Sequence, residues 1–188
     1  PPDGEPRRHW GTYAFRAGEA EPIIVEIPRP VGDPGTVEMG VHLADEMSAR
    51  ALFIPGAHWA ANQDRSTNWT ADGNANTVFH LAHQVALRDY DWDEEPLVIQ
   101  VRGFRPRDRK WENPATGRSV YVAATPNDVV ISLGIETPTR VNVGDQVVAM
   151  EASLVARGYA VGYFDGDPQH IFFAARDNAQ LGYMDSHG

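Results

Sequence analysis

The run Ile23-Ile24-Val25-Glu26-Ile27 is almost wholly apolar and β-branched, and Pro28 and Pro30 close it on its C-terminal side. Such a run suits a strand covered on both faces, which asks for helices on either side of a sheet. Neither proline has an N–H to donate, so sheet pairing stops there. Pro34-Gly35-Thr36 then opens a helix, with Asp33 expected as its N-cap. In α/β proteins the segment between the C-terminal end of a strand and the next helix faces the crevice where ligands bind. Arg29 and Asp33 are therefore candidate site residues. The plainer expectation is a solvated loop with a capping aspartate.

Residues 10–16 (WGTYAFR) alternate and are aromatic, which reads as an edge strand. A helix is expected from about Gly35 to Ala49, with Val37, Val41, Ala44 and Met47 on one face. Ala51 to Ile54 make a short buried strand that ends at Pro55-Gly56. The polar stretch 58–73 has no period and is long for a connection, which favours a binding loop. It contains Asn68-Trp69-Thr70, a glycosylation sequon where the source glycosylates. A second helix, about 75–88, takes Asn74 or Asp72 as its cap. Residues 89–95 form an acidic turn that lacks the glycine and the distant glutamate of a calcium loop.

Leu97 to Val101 read as another buried strand, ending at Arg102-Gly103-Phe104. A polar excursion or hairpin through Gly117 carries Arg105, Arg107, Arg109 and Lys110. Strands at 120–123 and 129–133, a helix at 143–157 stopped by Gly158, and a closing strand pair at 159–164 and 171–174 complete the order. Short apolar strands alternating with helices predict an α/β fold: a single domain with a mixed, mostly parallel sheet flanked by helices. Residues 1–8 read as a linker or a trimmed mature N-terminus, 9–184 as the domain and 185–188 as a tail.

Composition narrows the function. The 188 residues carry 16 basic and 26 acidic side chains, a net charge of −10. This argues against nucleic acid and against an anionic membrane surface, since both need lysine and arginine in excess. No apolar run is long enough to span a bilayer, so membrane insertion is not expected. The absence of cysteine removes disulfides, thiolate metal sites and a cysteine nucleophile. There is no G-x-S-x-G elbow and no phosphate-cradling glycine loop. His80 and His83, at i and i+3 on the second helix, are expected as surface or half-buried structural histidines rather than ligands.

Three strand ends line up: Ile27-Pro28-Arg29, Pro55-Gly56-Ala57-His58-Trp59 and Gln100-Val101-Arg102-Gly103-Phe104, with 71–80 between the last two. This order resembles bacterial and phage zinc hydrolases of the poly-γ-glutamate hydrolase type, which have a zinc-carboxypeptidase-like (phosphorylase/hydrolase-like) fold. The resemblance covers roughly residues 10–183. In that family the first strand ends in a histidine, a carboxylate precedes a Pro-Gly-Thr-x-Glu helix start, and a later strand ends in His-Gly. Asp33-Pro34-Gly35-Thr36-Val37-Glu38 fits the helix start, and Val98 to Gly103 fits the later strand. Gly56 to His58 and residues 72–79 also resemble related secreted bacterial sequences.

The departures carry the functional expectation. Arg29 and Arg102 stand where the family places zinc-binding histidines. Guanidinium has no acceptor and stays cationic, so it cannot ligate zinc. Asp33 alone matches a ligand, while Trp59 replaces a basic residue and Ala75 a histidine. The resemblance thus implies a pseudoenzyme: a non-catalytic, metal-ligand-deficient relative acting as a binding or structural domain. It would be secreted, periplasmic or at the cell surface, with no metal ligands and no cofactor. Its binding residues are expected to be Arg29, Asp33, His58, Trp59, Asp72 and Arg102, and its partner an anionic ligand or another protein subunit or domain. The alternative is a working amidase or peptidase on acidic peptides or polyglutamate. It would use Asp33, Glu38, His58 and Asp72 in a rearranged site, and only in that case zinc. A third reading is an anion-binding module in which the arginines clamp a carboxylate or phosphate. Against it stands internal neutralisation, Arg29 by Asp33 and Arg102 by Glu38 or Asp72.

Overall fold

The computed structural model describes residues 11–71, 74–89, 96–104, 109–112, 116–122, 126–133, 144–164, 178–180 and 183–184. Its contacts gather into two compact units, Pro1–Phe104 with Asp177–Gly188, and Arg105–Arg176.

The first unit contains β1 (Thr12–Phe15), β2 (Glu21–Glu26), α1 (Thr36–Glu46), β3 (Ala49–Ile54), α2 (Val78–Asp89) and β4 (Leu97–Gln100). The strands lie in the order β1-β3-β2-β4. The central β2 runs parallel to β3 and β4, and β1 adds an antiparallel edge. The expected mixed, mostly parallel sheet with helices is what forms. Alternation along β2 sends Ile23, Val25 and Ile27 to one face, where Ala44, Val37, Leu43 and Met47 of the α1 segment cover them. Ile24 goes to the other face with Phe53, Phe79, Trp69 and Ala86. Both faces of β2 are thus buried, as its unbroken apolar run requires.

Several boundaries differ from expectation, each for a local reason. Helix α1 stops at Glu46, short of Ala49, because Ala49 already pairs in β3 and Ser48 turns the chain with φ 50°. Asp33 does not cap α1. Gly35, at φ 82°, holds that position without any side-chain cap, and the Thr36 hydroxyl donates to the Asp33 carbonyl at 2.7 Å. Helix α2 begins at Val78, and the Thr77 hydroxyl accepts the His80 N–H at 3.1 Å, so Thr77 does the capping expected of Asn74 or Asp72. The Asn74 amide instead donates to the carbonyls of Arg65 and Asn68, tying the long loop to itself. Asp72 lies outside the described residues.

In the second unit, β5 (Arg109–Glu112) and β6 (Ser119–Val122) form the expected hairpin. A parallel pair, β7 (Val129–Ile131) and β8 (Val161–Tyr163), is joined through α3 (Asp145–Ala156). Gly158, at φ 90°, follows that helix. The Tyr163 hydroxyl donates to Glu151 at 2.6 Å and ties β8 to α3. Residues 105–108, 90–95 and 171–174, which carry part of the arginine patch, most of the acidic turn and the last expected strand, lie outside the described residues. Among the described residues no helix is long and apolar enough to cross a membrane.

Candidate functional site

The crevice expected from the sequence would lie where β2, β3 and β4 end. The Val101 N–H donates to the Glu26 carbonyl at 2.8 Å and the Ile27 N–H to the Phe53 carbonyl at 2.9 Å, so the three chains leave the sheet side by side. Beyond β2, the N–H groups of Gly32 and Asp33 both donate to the Arg29 carbonyl, folding 29–33 into a tight turn. That turn leans on the segment after β3. A Cβ at Gly32 would stand 3.1 Å from Trp59 Cδ1 and 3.5 Å from His58 Nε2, so the turn packs closely on both rings. The Arg29 guanidinium lies over the Trp59 ring, 5.5 Å from its centroid. Past β4, the Gly103 N–H donates to Asp33 Oδ2 at 3.0 Å, which fastens the second arginine-bearing segment to the first.

Arg29, Asp33, His58, Trp59 and Arg102 therefore gather in one place. Glu38 does not join them. It is exposed on the first turn of α1 and lines a separate groove with Val41, Asp45 and Leu52. Among the described residues, neither Arg29 nor Arg102 makes an ion pair, so the expected pairings of Arg29 with Asp33 and of Arg102 with Glu38 are not formed, while the pairing of Arg102 with Asp72 lies outside the described residues. Asp33 accepts the Gly103 N–H on its Oδ2 instead. The Arg29 Nε is buried with no hydrogen-bond partner. Burial, and then the charge of Arg29, pull the Arg102 guanidinium down to about 10, with Asp33 pulling the other way. His58 Nδ1 accepts the Ala60 N–H at 3.1 Å, which leaves Nε2 as the protonated nitrogen of its neutral ring. The accessible groups of the crevice are thus mostly donors.

On the α2 face of the sheet lies a cluster the sequence reading missed. Glu26, with no exposure, accepts from His83 Nδ1 at 2.8 Å and from Gln100 Nε2 at 2.8 Å. The Gln100 carbonyl oxygen accepts from Asn178 at 2.6 Å. Gln180 donates to the Trp69 carbonyl at 3.1 Å and lies 3.2 Å from His80 Nδ1. His80 and His83 stack, and the Tyr183 ring stands edge-on to both. Both histidines are therefore buried, at 2% and 0% exposure, rather than at the surface. Burial and the charge of His83 push the His80 imidazole below its ordinary range, with Glu26 opposing. The signal was available in Glu26, the lone charge in the apolar run Ile23 to Ile27. A carboxylate buried there must find donors. The network ties residues 178–180 and Tyr183 to the sheet, and two residues of the glycosylation sequon, Trp69 and Thr70, are buried at 6% and 5% exposure while Asn68 is half-buried.

Comparison of the chain with protein-family models, curated proteins and solved structures finds no match. The two arginines of the crevice offer no lone pair, and among the described residues no three histidine or carboxylate side chains gather at metal-binding distance.

Proposed function

We propose that this chain is a non-catalytic, metal-ligand-deficient relative of zinc amidohydrolases and carboxypeptidases that binds an anionic group, working outside the cytoplasm as a domain or subunit. One observation carries the reading: the segments bearing Arg29 and Arg102 leave the parallel strands β2 and β4 tied together through Asp33 and the Gly103 N–H, and neither arginine makes an ion pair among the described residues. A guanidinium pair of this kind is the group best shaped to take a carboxylate or phosphate through paired N–H donors. The indole of Trp59 holds Arg29 from behind, and His58 adds an N–H at the rim. The zinc-carboxypeptidase-like ancestry rests on the residue order alone, with Asp33 and Glu38 marking the helix start.

Isothermal titration with polyglutamate tests the reading. Binding that weakens in both Arg29→Ala and Arg102→Ala is expected, and unchanged affinity in the two variants removes it. A working amidase that uses Asp33 and His58 in a rearranged site is the second reading, favoured by the approach of His58 Nε2 to the turn that carries Asp33. Stoichiometric zinc in the purified protein, lost together with hydrolysis in Asp33→Ala, would select that reading instead.

A further inference from the structure

The crevice contains a negative charge as well as two positive ones, and the position of that charge has a consequence for the ligand. Asp33 is held beside Arg102 by the Gly103 N–H at 3.0 Å, and a Cβ at Gly103 would stand 2.8 Å from Asp33 Cβ. Only glycine at 103 lets the two segments approach this closely. The Asp33 carboxylate lowers the potential at the arginines without closing an ion pair on either of them. Two guanidinium groups against one carboxylate leave one net positive charge among the described crevice residues.

We infer that Asp33 sets the charge selectivity of this crevice, tuning it to a single carboxylate rather than to a dianion such as sulfate or a phosphate ester. The inference rests on the anion-binding reading above. Counted over the described residues, a monoanion brings the crevice to neutrality, whereas a dianion leaves an excess negative charge next to Asp33. The repulsion from Asp33 acts on each charge of the ligand, so it penalises a dianion about twice as much as a monoanion. Asp33 is thus a specificity-determining residue that need not touch the ligand.

The test compares two probes, sodium N-acetylglycinate and sodium sulfate, by isothermal titration at neutral pH and constant ionic strength. The proteins are the full chain, Asp33→Asn and Asp33→Ala. Asparagine keeps an oxygen for the Gly103 N–H and removes only the charge. Alanine gives the same charge change if the asparagine variant does not fold. The full chain is expected to prefer N-acetylglycinate. Either variant should move the ratio of affinities toward sulfate by about tenfold or more. If the ratio stays fixed while Arg102→Gln still abolishes binding of both probes, the selectivity role of Asp33 is wrong and the anion site stands. If neither probe binds any of the proteins saturably, the anion-binding reading fails and this inference falls with it.

Discussion

At the scale of single residues, the informative side chains are those whose chemistry conflicts with their surroundings. The Tyr13 hydroxyl is buried without a partner, and burial together with the nearby Glu26 raises its ionisation from 10.0 to about 12. An unpartnered buried hydroxyl costs on the order of 1 kcal/mol or more, so Tyr13→Phe should raise the urea midpoint at neutral pH by a corresponding amount. The sign at alkaline pH follows from linkage. The unfolded chain loses the tyrosine proton near 10 while the folded chain keeps it to about 12, so stability falls as pH rises through that window. In Tyr13→Phe this alkaline loss should shrink, and a variant with the parent's alkaline profile would exclude Tyr13 as its source. His80 acts at the other end. Its folded imidazole is held below the ordinary 6.5, so the unfolded chain binds the proton first and stability falls as pH drops through that value. Urea midpoints taken at about pH 7.5 and about pH 5.5 should therefore differ, with a smaller difference in His80→Gln. Equal differences in the two proteins would place the acid sensitivity elsewhere.

At the scale of elements, the strand–helix order was legible because burial imposes periodicity. Ile23 to Ile27, Ala51 to Ile54 and Leu97 to Val101 declared themselves by apolar run length, and each ends within a residue or two of where the residues indicated. The caps were not legible. Asp33 has every local feature of an N-cap, yet its carboxylate takes an N–H seventy positions away at Gly103, a contact no local pattern encodes. His80 and His83 were misjudged for the same reason, since their partners Glu26 and Gln180 come from β2 and from the C-terminal segment. Close packing between α1 and β2 gives a prediction of its own. A Cβ at Gly40 would lie 2.4 Å from Ile27 Cδ1 and 2.6 Å from Ile27 Cγ1. Alanine gains about 1 kcal/mol of helix propensity over glycine. Overpacking should outweigh that gain, leaving Gly40→Ala less stable by about 1–3 kcal/mol in chemical denaturation. A stabilised variant would mean that Ile27 moves aside freely.

At the scale of the whole molecule, residues 105–176 leave the first unit after β4, and the chain returns to it at 177. The return is specific: Asn178 bonds Gln100 at the end of β4, and Gln180 reaches the loop before α2 through the Trp69 carbonyl. The first unit thus has one edge where parallel strands, a polar loop and the returning segment meet. In a chain with net charge −10, two guanidinium groups beside that edge that make no ion pair among the described residues are the feature most in need of a purpose. Holding Arg102 charged near 10 rather than 12.5 costs folding on the order of 3 kcal/mol at neutral pH, before allowance for solvent. An incoming anion would offset that cost. The melting temperature of Arg102→Gln, measured with and without sodium N-acetylglycinate, tests this most directly. The variant should melt no lower than the parent in anion-free buffer, and the anion should raise only the parent. A variant that melts far lower, by the roughly 3–5 kcal/mol typical of breaking a buried ion pair, alongside a parent indifferent to the anion, would mean that Arg102 is already neutralised from within.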